Sequence, residues 1–372
     1  MSSRPAQPAR RARLGVAALF FVNGALLTNW LPRIPAVKAS LGLSDGTLGL
    51  TLTGVGAGAV IGGLAASALV ARFGSRTTAV VSGLVMAALL PFLGLAGSAP
   101  VLARVLGGLG LADAIMDVAM NAHAVEVQRL YPRSILNRFH ALWSLGSVTG
   151  GTLGALAAGL GLAVALHLAL VGVALAVLLL AATPLLLPTQ TDQDDALPTF
   201  MRPTRALLAL GLLTLLGAAI EDTPGSWSAV YLREWLGTSP GVAGSAYVTF
   251  TIAMTIGRLL GDRVVDRFGA ARTVRVGGLV AAGGLGFGLA TGNVAGALAG
   301  FALTGLAIAP IFPVTFGAAG NLPGVPPGFG IAVVSLIARL GFLLAPPLVG
   351  LGAELTTLPL ALGGIALVAL GV

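Results

Sequence analysis

Residues 111–147, LADAIMDVAMNAHAVEVQRLYPRSILNRFHALWSLGS, place Asp113, Asp117 and Asn121 four residues apart in a run otherwise apolar enough to sit in a membrane. On a helix that spacing gives one polar stripe. An aspartate at the bilayer centre costs about 2.5–3.5 kcal/mol on insertion scales, so such an acid faces a bundle interior or a water-filled cavity and marks a candidate functional site. A second carboxylate one turn away, in the same desolvated setting, favours holding a proton on one of the two. The competing reading is structural, with both acids paired to an arginine that ties helices together.

The surrounding chain supports the membrane setting. Of 372 residues, 56% are hydrophobic and 9% charged, and 54 are glycine. A soluble domain of this length could not cover so much apolar surface. There is no cysteine, hence no disulfide and no thiolate chemistry. His123, His140 and His167 are scattered and no H-E-x-x-H occurs, so neither a metal centre nor a cofactor is expected. No Walker or G-x-G-x-x-G pattern is completed, which argues against an ATP-driven pump, and no nucleophile and base recur together, so the chain is read as a non-enzyme. The net charge of +8 lies in short loops rather than on one face, the distribution that sets membrane topology, and no nucleic-acid partner is expected. Arg4, Arg10, Arg11 and Arg13 precede the first apolar run, which is too long for a signal-peptide core and is read as a retained span.

A span needs about 20 mostly apolar residues. On that rule spans fall near 14–35, 45–71, 77–97, 101–128, 137–160, 162–187, 204–233, 241–265, 271–291, 293–320, 328–350 and 355–372. The fold class expected is an all-α membrane protein with twelve transmembrane helices in two pseudo-symmetric six-helix halves. The last span is short, and the expectation is a helix cut short. Loops on the N-terminal side carry Arg72 and Arg76, then Arg129, Arg133 and Arg138, then Arg202 and Arg205, then Arg263, Arg267, Arg272 and Arg275; the other side carries little beyond Arg33, Lys38 and Arg233. Both termini are therefore expected to be cytoplasmic. Residues 188–203, PTQTDQDDALPTFMRP, with Asp192, Asp194 and Asp195, read as a cytoplasmic linker between an N-terminal half (1–187) and a C-terminal half (204–372).

An internal repeat supports the two halves. Ala71-Arg72-Phe73-Gly74-Ser75-Arg76 follows the second span, and Asp266-Arg267-Phe268-Gly269-Ala270-Ala271-Arg272 follows the eighth. Related six-span halves with a site at their junction are a recurrent transporter plan. These loops resemble the signature of the major facilitator superfamily, partly over Leu69 to Arg76 and more fully over Gly261 to Arg272, which includes Asp262 and Arg263. The first copy departs at Ala71, where the family usually has aspartate; Asp266 keeps the acid in the second. Arg104 with Gly107-Gly108 resembles the family's fourth-span arginine motif. By this resemblance Arg72, Gly74, Arg76, Arg104, Asp262, Arg263, Asp266, Arg267 and Gly269 are gating-loop residues. MDVAMNAHAVEV with Asn137-Arg138-Phe139-His140, EDTPGSWS (221–228) and GFLLAPP (341–347) is similar to the branch containing fucose permease and rhizopine-type transporters. The resemblance implies proton coupling at Asp117. It supplies no first-span acid, because the matching region is Thr28-Asn29-Trp30, with Asn23 as the nearest polar alternative.

Other residues join the candidate site on their own chemistry. Glu221 and Asp222 precede Pro224-Gly225, a pair expected to break the seventh span; Glu221 is a second candidate for carrying a proton, with a capping role as the plain alternative, and Asp222 reads as structural. Arg339 is alone in VVSLIARLGFLL and must find an anion, such as Glu221, a fourth-span acid or an anionic substrate. Arg258 reads as a helix-end anchor or latch. Trp30, Trp143, Trp227 and Tyr231 suit stacking on sugar-like rings; for Trp30, Trp227 and Trp235 interfacial anchoring is the stronger alternative. His140 opens the fifth span, and His167 reads as packed or interfacial. Gly54, Gly58 and Gly62, and Gly146, Gly150 and Gly154, repeat at four and give smooth faces for close packing, which a moving interface also needs.

The sequence thus points to a secondary active transporter that moves a small polar solute, sugar- or polyol-like, across the bacterial cytoplasmic membrane by proton-coupled alternating access. Asp113, Asp117 and Glu221 are the proton-coupling candidates, and Asn23, Trp30, Asn121, Trp143, Trp227, Tyr231 and Arg339 the substrate-binding ones. Its partners would be that solute, protons and the lipid bilayer, with the protein a monomer. The alternative is proton-driven efflux of amphipathic compounds; a non-transporting receptor or intramembrane enzyme is the third reading.

Overall fold

Inside a bilayer no water satisfies backbone N–H and C=O groups, so a lone apolar run must close its hydrogen bonds within itself, as a helix does. The computed structural model describes residues 7–131, 135–188, 202–325 and 327–372, and among them all regular structure is helical. Helix α1 (Gln7–Thr28) passes through a 3-10 turn (Leu31–Arg33) into α2 (Ile34–Leu41), together one long span. Then come α3 (Asp45–Phe73), α4 (Ser75–Leu95), α5 (Ala99–Gln128), α6 (Leu136–Gly159) and α7 (Val164–Ala182). After the linker region come α8 (Arg205–Val230), a π-helical turn (Tyr231–Trp235), α9 (Pro240–Phe268) and α10 (Ala270–Ala290). The tenth span is made of α11 (Val294–Ile308) and α12 (Ile311–Gly320), broken where Pro310 intervenes, and α13 (Pro327–Leu355) and α14 (Leu358–Ala369) close the chain. Each of the twelve expected spans coincides with one of these helices or helix pairs. The protein is an all-α membrane protein of the expected class.

Two compact units are present, residues 1–33 with 57–195 and residues 34–56 with 196–372. In the first, α1 packs on α6, and α4 on α5 and α7; in the second, α8 packs on α13, and α10 on α11 and α14. The same pairings in the same chain order are the pseudo-symmetry that the repeated Arg-Phe-Gly turn announces.

Glycine seams bring these helices into backbone contact. A methyl group on Gly146, Gly150 or Gly154 of α6 would come within 2.2, 2.5 and 2.5 Å of the carbonyl oxygens of Phe21 and Ala25 on α1 and of Asn29 just after it. Gly24 of α1 lies equally close to the Trp143 carbonyl. Gly58 and Gly62 of α3 abut Gly107 and Leu111 of α5. The close packing expected of these faces is thus made inside unit 1 for Gly58, Gly62, Gly146, Gly150 and Gly154. In unit 2, Gly49 meets Pro346 and Gly350 meets Asp45, which joins the first half of α3 to α13.

Two expectations are corrected. Arg33 and Lys38, counted as loop charges, are only 3% and 7% exposed, because the first span runs on through the 3-10 turn and buries them. Pro224-Gly225 does not break α8, which runs on unbroken to Val230 with Thr223 and Pro224 buried, and the irregularity comes later, at the π turn. The linker 188–203 lies outside the described residues except for its ends, as does Arg133.

Candidate functional site

The helix pairing of unit 1 assembles a polar centre from three distant stretches. Asn23 projects from α1, Asp113 lies near the middle of α5, and Trp143 is two turns into α6, held against α1 by the glycine seam. The Asn23 Nδ2 donates to Asp113 Oδ1 at 2.9 Å, and its Oδ1 accepts the Trp143 indole N–H at 2.7 Å. An indole only donates and an ionised carboxylate only accepts, so an amide between them is matched at both ends and its orientation is fixed. Asn23 is buried, whereas Asp113 and Trp143 are half-buried and keep surface available.

One turn along α5, Asn121 Nδ2 donates to the Asp117 carboxylate at 3.1 Å and to the Asp117 carbonyl at 2.8 Å. Both side chains are half-buried. The predicted stripe is thus real, and it has two levels: Asp113 is tied across helices, and Asp117 to its own helix. Such a pair of carboxylates, each supplied with a donor, can hold negative charge or accept a proton in a place shielded from bulk water.

In unit 2 the partners differ from expectation. Glu221 of α8 accepts from Arg258 of α9 at 3.0 Å, so the arginine read as an anchor pairs with it. Arg339 is half-buried, midway along α13. Asp222 accepts from Ser226 one turn on, at 2.9 Å. Trp227 and Tyr231 are fully buried in unit 2, Tyr231 edge-on to Phe301 at 6.4 Å, and their Nε1 and OH have no hydrogen-bond partner among the described residues. Trp30 is buried to 1% in unit 1. Of the tryptophans assigned to the membrane interface, Trp235 is the exposed one, at 53%.

The two Arg-Phe-Gly turns take the same backbone. Gly74 has φ 77° and ψ 156°, Gly269 φ 82° and ψ 150°, conformations essentially reserved for glycine. Arg72 lies over Phe73 at 5.2 Å, and Arg267 over Phe268 at 5.5 Å. Arg76 is half-buried; Asp262, Arg263 and Asp266 are exposed. Arg104 is exposed, its Nε donating to the Pro100 carbonyl at 3.1 Å.

Two polar clusters escaped sequence reading. His123, fully buried, accepts at Nε2 from the Leu187 amide and meets Ser75 Oγ at 2.8 Å through Nδ1, with Glu126 at 3.4 Å. Lys38 binds Asp45 at 2.6 Å and also Glu234, while Ser44 meets Glu354 at 3.3 Å. Separations of 196 and 310 residues leave no local signal for the second cluster. The spacing of His123 and Glu126 on one helix face was the available signal for the first.

Comparison with known proteins bears on these arrangements. A family model described as Major Facilitator Superfamily matches residues 16–220. The chain is 34% identical over 367 residues to an uncharacterized MFS-type transporter of Yersinia pestis, covering 98% of this chain and 95% of that protein. It is 32% identical over 359 residues to membrane protein MosC of Rhizobium meliloti, with 96% and 87% covered. Among solved structures, a mutant of the nucleoside transporter NupG superposes with a TM-score of 0.82 at 13% identity, over 97% of this chain and 98% of that one, a likeness of fold.

Proposed function

The chain belongs to the major facilitator superfamily of membrane transporters, and from that premise we propose that it carries a small polar solute, sugar- or polyol-like, by proton-coupled alternating access. The halves 1–187 and 204–372, joined by the linker 188–203, expose the site to each side in turn. The basic loops on the N-terminal side make that side, with both termini, cytoplasmic.

One observation carries the reading: Asn23 is held between the Asp113 carboxylate and the Trp143 indole N–H. A carboxylate accepts solute hydroxyls, and an indole face beside it stacks on the apolar side of a ring. Protonation of Asp113 removes the charge that orders the Asn23 amide, so solute and proton occupancy are linked in both directions. Asp117, one turn away with Asn121 as donor, is the position that the fucose-permease and rhizopine-type resemblance assigns to coupling. The resemblance also supplies the polyol class. Glu221, neutralised by Arg258, serves as a second charge centre whose pairing changes during transport, and Arg339 completes substrate binding.

The test is proton uptake or release by purified protein at low buffering when sugars, inositol derivatives or lipophilic cations are added. We expect a signal with a polyol that is lost in both Asp113→Asn and Asp117→Asn, with solute binding weakened in the first and retained in the second. Solute binding without proton exchange in the wild type would remove coupling and leave a uniporter. A response confined to lipophilic cations would replace the solute class by amphipathic compounds.

A further inference from the structure

The segment leading out of α1 holds two buried cations, and they are treated differently. Lys38 has two carboxylates, Asp45 and Glu234. Arg33 donates through Nη2 to the Leu162 carbonyl, while its Nε and Nη1 have no hydrogen-bond partner and no acid pairs with it among the described residues. A guanidinium does not shed its proton, and an uncompensated buried charge is strongly disfavoured.

The Leu162 carbonyl that Arg33 reaches lies just ahead of α7, and His167 stands in the first turn of that helix. It is 4% exposed, and neither ring nitrogen has a partner among the described residues. Even a neutral imidazole presents one N–H donor. The α7 N-terminus adds the positive end of a 19-residue helix, with no side-chain cap at Ala163. Arg33 Nε and Nη1 and the His167 ring are thus buried polar groups at the start of α7 with no hydrogen-bond partner among the described residues. Pro32 and Leu168, chain neighbours of these two side chains, are buried as well.

We propose that Arg33 and His167 hold a small inorganic monovalent anion, chloride under physiological conditions, which neutralises the guanidinium inside unit 1. The ion is a structural constituent, separate from the Asn23, Asp113 and Trp143 centre.

The experiment measures the apparent melting temperature of the full chain in nanodiscs, with chloride exchanged for gluconate at constant ionic strength and then titrated back as chloride or bromide. The wild type should melt several degrees lower in gluconate, with either halide restoring it and sulfate failing to do so. Arg33→Gln should abolish the halide response, and Arg233→Gln, which removes an exposed cation, should keep it. His167→Gln should weaken apparent halide affinity roughly fivefold, the worth of about one hydrogen bond. Equal melting of the wild type in chloride and gluconate would overturn the proposal, as would a full halide response in Arg33→Gln. If Arg33→Gln does not fold, wild-type halide affinity in His167→Gln overturns it instead.

Discussion

Residues 69–78 and 264–273 make the same turn in opposite surroundings. In both, the glycine amide bonds back to a carbonyl four residues earlier, Gly74 to Val70 and Gly269 to Val265, and a threonine amide bonds to the glycine carbonyl, Thr78 to Gly74 and Thr273 to Gly269. Beyond the backbone they diverge. Gly74 and Ser75 are buried, and Ser75 meets His123, which also receives the Leu187 amide. Because that amide donates to Nε2, the neutral ring keeps its proton on Nδ1 and donates it to Ser75. Gly269, Ala270 and Ala271 are exposed. The repeated motif thus encodes a backbone geometry, while the neighbours decide whether that geometry is locked.

The largest expected effect is at the locked copy. Gly74→Ala forces a side chain into a glycine-only conformation at a buried site and should cost about 3 kcal/mol, read as a marked fall in melting temperature and in expression. Next, His123→Leu strands the Leu187 amide and the Ser75 hydroxyl, costing about 2 kcal/mol, with His123→Gln recovering part of it; a wild-type melting temperature in His123→Leu would mean the hub is not what locks the first turn. Gly269→Ala meets no atom within 4 Å, so only backbone strain remains, about 1–2 kcal/mol. If it equals Gly74→Ala, surroundings do not matter and the comparison fails. Smallest is Asp266→Asn, an exposed change that should leave stability within about 0.5 kcal/mol while any effect on transport rate reports its role in gating.

What the sequence made legible was local. Span positions follow from runs of apolar residues, and the turn from the Arg-Phe-Gly repeat. Asn23, Asp113 and Trp143 could each be nominated by type, but their joining spans 90 and 120 residues and depends on how α1, α5 and α6 pack. For the same reason the pairing of Glu221 with Arg258, which α9 brings to it, had no local signal. Arg33 and Lys38 misled because charge in a short interval between apolar runs usually means a loop, whereas here a 3-10 turn carries the helix on. Pro224 misled because a proline need not end a membrane helix whose surroundings hold it: α8 continues through Pro224, which is buried with Thr223 and Ser226 to Val230.

The contact of α1 with α6 through Gly24, Gly146, Gly150 and Gly154 has a consequence for how such a protein diversifies. With backbones touching along four positions, the spacing between Asn23 and Trp143 is not adjustable by degrees; any larger residue in the seam separates the helices outright. New selectivity would then have to arise by exchanging the side chains that the seam presents, leaving the frame intact. Asn23→Asp or Asn23→Ser would be an early step in retuning the ligand, and a seam glycine would be among the last positions to change.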